Sequence, residues 1–159
     1  MATLPMYHNM LACYPAILAR LETVPGVKAV LEAADLEAVT SDRKIKPQDG
    51  AVYVVFDGFT PDATAGSKTV LRERLSFSMI LAKRQYNPSR LQYGEDGVGE
   101  TITAIKSALQ GFDPEGQNGE KLCLEPLTSR AALPIAYHEG FAFFPMRFET
   151  AVAIHLRKD

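Results

Sequence analysis

The chain has 159 residues, 47% hydrophobic and 23% charged, with 17 Lys and Arg against 19 Asp and Glu and a formal net charge of −2. That length predicts one domain over 1–159, large enough to hold a core without disulfide or metal, and the ordinary composition excludes a largely disordered or collagen-like chain. Without a basic excess, charge gives no reason to expect nucleic-acid binding.

Two cysteines, Cys13 and Cys123, stand far apart, each in an apolar run and neither in a Cys or Cys/His cluster with zinc spacing. They read as small buried hydrophobes. No apolar run approaches the roughly 20 residues of a membrane-crossing helix. The N-terminus lacks the basic stretch and apolar core of a signal peptide. The expectation is a soluble protein made in a cytoplasm.

In chain order, Leu11, Tyr14, Leu18 and Leu21 recur at spacings of three and four and predict an amphipathic helix over 15–23. Pro15 suits its first turn, where a missing N–H leaves no bond unmade, and Pro25-Gly26 ends it. Val27–Leu31 reads as a short strand, and Ala33–Thr40 as a helical turn or loop with Asp35 as a cap. After a polar connection, Ala51-Val52-Tyr53-Val54-Val55-Phe56 is a continuous apolar run that suits a central strand covered on both faces. The Pro-, Gly- and Ser-rich stretch that follows predicts a long hairpin arm or loop over about 58–70.

The next segment alternates. Leu71, Leu75, Phe77, Met79 and Leu81 face one way and Arg72, Arg74, Ser76 and Ser78 the other, with Glu73 the exception. This is a half-buried strand of about ten residues. A second polar loop is predicted over 85–97. Val98, Ile102, Ile105 and Leu109 then mark a second helix, with Gly111 in the C′ position and Pro114 beyond. Short strands are predicted at Leu122–Glu125 and Ile135–His138. A long final strand runs from Phe144 to Leu156, with Arg147, Glu149 and His155 on its polar parity and Pro145 marking an edge or bulge. The hairpin-like order predicts an α+β fold: a mainly antiparallel sheet with two main helices on one face.

Catalytic signals are thin. Gly94-Glu95-Asp96-Gly97-Val98-Gly99 feeds a helix N-terminus but lacks the Gly-Lys-Ser/Thr ending of a phosphate loop, and its acidic residues oppose an anion. Tyr137-His138-Glu139-Gly140 offers one His–carboxylate pair without a nucleophile. His138, Glu139 and the Gly94–Gly99 loop together define the alternative reading, a small α+β enzyme or ligand-binding protein. No catalytic, cofactor-binding or metal-binding residue is otherwise assigned. Arg72 and Arg74 make a basic stripe that suits a solvated sheet face or a protein interface, and long alternating strands leave edges open to pairing.

The chain resembles the tail terminator and minor tail proteins of Mu-like and related long-tailed phages and prophages. The resemblance is carried in order by Ile17-Leu18-Ala19-Arg20-Leu21 with Val27-Lys28-Ala29-Val30, by Gly50–Phe56, by Leu75–Ala82 with Ile102–Leu109, and by Met146-Arg147-Phe148-Glu149-Thr150. It implies a non-enzymatic structural subunit without cofactor. The subunit would assemble into a ring, expected to be hexameric, that caps the tail tube and joins it to the head connector. Its partners would be further copies of itself, the tail tube protein and the connector proteins. DNA would only pass through the lumen, and the protein would sit in the virion neck after synthesis in the host cytoplasm. Another neck or baseplate component remains an alternative. The candidate oligomer or tube interface comprises Phe59, Thr60, Asp62, Lys68, Arg72, Arg74, Tyr86, Arg90 and Tyr93.

Overall fold

In the computed structural model, residues 3–40, 46–62, 69–84 and 97–157 are described. A 3-10 turn at Pro5–Tyr7 precedes helix α1 (Tyr14–Glu22), strand β1 (Ala29–Glu32) and the short helix α2 (Leu36–Thr40). Strands β2 (Ala51–Pro61) and β3 (Val70–Arg84) follow, then helix α3 (Val98–Leu109). Strands β4 (Thr128–Arg130), β5 (Ala136–His138) and β6 (Phe141–His155) close the chain. The sheet order is β1-β2-β3-β6-β4, with β5 also paired to β6. All pairings are antiparallel except β1 with β2, so the predicted α+β architecture is observed.

The sheet is built on β3 and β6, which pair from Val70↔His155 through Arg84↔Phe141. Period-2 alternation puts Leu75, Phe77, Met79 and Leu81 of β3, and Phe144, Met146, Phe148 and Val152 of β6, on one face. There α1 and α3 cover them. The line of α1 that enters the core is Cys13, Ile17, Leu21 and Val24, all buried. Of the predicted Leu11-Tyr14-Leu18-Leu21 stripe, Leu21 is in this line, while Leu11, Tyr14 and Leu18 are only half-buried, one position round from it. The α3 prediction matches in both bounds, and Gly111 beyond it takes φ +80. Its N–H leaves the helix to bond the Leu127 carbonyl at 2.8 Å, a conformation that glycine adopts without a Cβ clash.

The two main helices share one face as expected, and the second face also carries the short helix α2. Val39 and Leu36 of α2 pack on Tyr53, Val55, Ile80 and Phe143. This explains the unbroken apolar run of β2, which is covered on both sides. The predicted cap is in place: the Ala38 N–H donates to Asp35 Oδ1 at 2.7 Å.

Some element boundaries differ from expectation, and β3 runs 15 residues rather than about ten. For Gly58–Pro61 the hairpin-arm alternative holds rather than the loop: this is the outer half of β2, continuing past a bulge at Asp57 where Gly58 has φ +116. This part of the predicted 58–70 segment is a hairpin arm. Of the 85–97 loop only Gly97, the N-cap of α3, lies within the described residues. Leu122–Glu125 is not a strand; the segment bonds β6 through the Leu124 N–H to the Ala151 carbonyl at 2.7 Å, and pairing begins only after Pro126, at Thr128. Pro126 has no N–H to extend a ladder backwards. Pro145 marks neither an outer strand nor a register shift. It lies between the stretch of β6 paired with β5 (Phe141–Phe143) and that paired with β4 (Arg147–Glu149). In this gap an imide nitrogen facing outward loses no ladder bond.

Both cysteines are buried, and they meet. Cys13 at the N-cap of α1 and Cys123 share one core cluster, and contact with the Cys123 thiol together with burial pushes the Cys13 thiol up.

A charged sheet face and two apolar edges

The face of the sheet that carries α2 changes character along β3. Period-2 alternation continues past Ile80 and Ala82 to Ser78, Ser76, Arg74 and Arg72, which the register sets beside Arg147 and Glu149 of β6 and Thr60 of β2. The bulged Asp57 joins this face: its Oδ2 accepts from Ser78 Oγ at 2.5 Å and lies 3.5 Å from Arg147 Nε. Arg74 pairs with Glu125 at 2.8 Å and with Glu149 at 3.5 Å, and Arg130 of β4 reaches Glu149 at 3.5 Å. Burial opposes the Arg74 charge, but the two carboxylates outweigh it and hold its guanidinium above the ordinary value. A polar groove of about 300 Å³ lies here, lined by Asp57, Thr60, Arg74, Ser76, Arg147 and Glu149. Within it Ser76 Oγ is buried without a hydrogen-bond partner.

Of the nine predicted interface residues, the structure brings Thr60, Asp62, Arg72 and Arg74 to this region. Thr60 sits opposite Arg74 in the register. Asp62 donates its N–H to the Arg72 carbonyl at 3.0 Å and pairs with the guanidinium at 3.9 Å. Phe59 also lines the groove, although the register sets it beside Leu75 on the opposite face, stacked on Phe56 at 6.4 Å and 57% exposed. Lys68, Tyr86, Arg90 and Tyr93 lie outside the described residues.

Sequence reasoning missed Asp57, Glu125 and Arg130 as members of the charged face. It placed Arg147 and Glu149 on the polar parity of the last strand without joining them to Arg74. It also missed the apolar edge beyond β6. Leu133 and Ile135, in a stretch from Ala131 to Ile135 that is exposed throughout, and Tyr137 just beyond it in β5 are about half exposed. The available signal was the apolar run Ala131-Ala132-Leu133-Pro134-Ile135-Ala136, broken by a proline that prevents a regular strand.

The groups of the enzyme alternative are placed differently. His138 Nε2 and Glu139 Oε1 are 3.7 Å apart at the exposed β5–β6 turn, where Glu139 has φ +48. Gly97 and Gly99 sit at the start of α3, and Gly94 to Asp96 lie outside the described residues. Neither the polar groove nor the groove beside Tyr14 described below includes them. Among the described residues no group of three or more His, Cys, Asp or Glu is arranged to hold a metal ion, and no helix is long and apolar enough to cross a membrane.

The site is thus one end of a mixed sheet with helices on both faces, charged there and apolar at two edges. The model of the family described as phage tail terminator protein matches residues 7–158. The chain belongs to that family, and it is a structural phage tail protein. Among solved structures it is similar to a chain of the virion of a native gene transfer agent particle. The two are 20% identical with a TM-score of 0.50, covering 92% of this chain and 95% of that one, a likeness of fold. Comparison with curated proteins gives no match.

Proposed function

We propose that this protein is the tail terminator of a long-tailed phage or prophage particle. Copies associate head to tail into a ring of six, which caps the growing tail tube, ends its polymerisation and offers the head connector a docking surface. The family match over residues 7–158 carries this reading. A closed ring requires a heterologous contact, in which two different patches of each subunit meet. The subunit has two separate apolar edges available for it, one at Phe59 and one at Leu133–Tyr137. The charged groove at Arg74 and Arg147 is then the surface for tube or connector, because its unsatisfied buried Ser76 hydroxyl gains a partner when another chain docks. The net charge of −2 suits a lumen that lets DNA pass, since a strongly basic wall would retain phosphates.

Light scattering on the purified protein, alone and mixed with isolated tail tubes, tests the reading. The expected result is a species of about six subunit masses that binds tube ends. A protein that stays monomeric at all concentrations and ignores tubes overturns it.

A further inference from the structure

We propose that the Leu133–Tyr137 edge of one copy packs against the outer edge of β2, Phe56–Pro61, in the next copy. This rests on the ring reading above and names the two surfaces that join neighbouring subunits.

The receiving edge is defined by where β1 stops. β1 pairs with β2 only from Ala51 to Val54, and the last bond across that edge is Ala33 N–H to the Val54 carbonyl at 3.0 Å. Among the described residues no strand lies outside Phe56–Pro61, so this stretch is a template for an added chain. Phe59, 57% exposed, and Pro61 put apolar surface into solvent here, alongside the exposed Asp57 and Thr60. Beside Phe56 opens a groove of about 530 Å³ lined by Leu11, Tyr14, Glu32, Ala33 and Ala34. Behind it Tyr14 and Phe56 both pack on Phe77, with ring centroids 6.0 and 5.3 Å away, so the floor is backed by fixed aromatic side chains.

The inserted edge lies at the other side of the sheet. Leu133, Ile135 and Tyr137 are 49%, 47% and 53% exposed, and with Phe59 and Leu156 they are the large apolar side chains that stand exposed among the described residues. Apolar patches of this kind, rimmed by polar residues, mark interaction sites. The length agrees, five residues against six.

A second copy is the occupant because the two surfaces sit at opposite edges of one sheet, so each bound copy presents a fresh edge and the contact repeats until the ring closes. Pro61 and Pro134, one on each edge, interrupt the backbone ladder and keep the pairing from growing into open-ended sheet.

Three proteins test this by sedimentation and light scattering: wild type, L133E/I135E, and F59D. All changes fall on exposed positions, and far-ultraviolet circular dichroism with thermal melting verifies that each variant folds. Each variant alone is expected to stay at one subunit mass. Mixed in equal amounts they are expected to give two subunit masses and nothing larger, because each supplies the edge the other lacks. A fourth protein, F59C/I135C, is expected to give a ladder of disulfide-linked species under air oxidation that dithiothreitol removes. Variants that assemble like wild type, a mixture that stays monomeric, or a missing ladder overturn the pairing and leave the ring standing. A wild type that is monomeric alone and on tubes overturns the ring and the pairing with it.

Discussion

Arg74 donates from Nη2 to Glu125 Oε1 at 2.8 Å, tying the middle of β3 to the segment that leads into β4. The same guanidinium faces Glu149 through Nε. Arg74→Ala leaves Glu149 with Arg130 alone and takes from Glu125 its guanidinium. Both Arg74 and Glu125 keep contact with water, 28% and 38% exposed, so the loss is that of a partly screened pair, about 1 kcal/mol in urea unfolding. Arg74→Lys is expected to recover less than half of it, since an ammonium lacks the fork that reaches two carboxylates. An unchanged urea midpoint for Arg74→Ala would show the network to be ornamental.

Two serines on one strand face should respond with opposite sign. Ser78 Oγ donates to Asp57, which also faces Arg147; Ser78→Ala strips that carboxylate of a donor and is expected to cost about 1–2 kcal/mol. Ser76 Oγ is buried without a partner. Ser76→Ala is therefore expected to be neutral or to stabilise the free subunit by up to about 1 kcal/mol, since a buried hydroxyl without a bond carries a desolvation cost. Paired denaturation curves measure the difference.

Much of this was legible in the amino-acid order because period-2 and period-3.6 patterns report burial directly. Val98, Ile102, Ile105 and Leu109 located α3 to the residue. The parity of β3 assigned Arg74 and Ser76 to the polar face. What escaped depends on contacts between distant segments. Nothing local distinguishes Ile17 from Leu18 as the deeper residue of α1, because the helix's rotation is set by Phe77 and Phe148 beneath it. The partners of Arg74 come from positions 125 and 149, brought close by register alone. Gly and Pro left Gly58–Pro61 open between hairpin arm and loop; here they tolerate a bulge and an outer edge.

Gly26 makes a further position testable. It has φ +89, and a Cβ added there would lie 2.7 Å from Thr101 Oγ1 on α3. Gly26→Ala is expected to destabilise by about 2 kcal/mol or more, combining backbone strain of about 1–2 kcal/mol with the displaced threonine. Thr101→Ala in the same chain should relieve the clash and leave the strain. A double-mutant cycle by thermal melting separates the two; full additivity would mean that the α1–β1 turn and α3 do not touch.

Tyr14 sets the alkaline limit. Burial, then its hydrogen bond to Glu32 and the charge of that carboxylate, raise its pKa above the ordinary 10.0. A folded-state value above the unfolded one means that the native protein holds the proton more tightly. The stabilisation is complete below pH 10 and falls as pH rises through that value. Stability curves from pH 8 to 11 should therefore decline at the alkaline end, and Tyr14→Phe should flatten the decline. Equal slopes for the two proteins would remove Tyr14 as its source.

The row Arg130, Glu149, Arg74, Glu125 alternates in sign and sums to zero. An alternating row has almost no far field: its potential cancels within a few ångströms, well inside the roughly 8 Å over which salt screens at physiological strength. Whatever docks on this face is not drawn in from a distance. It is selected on contact, since a partner displaced by one charge along the row meets like against like at every step. If this face is the docking surface proposed above, the row would work as a vernier, insensitive to salt in its approach rate and exacting in its final alignment.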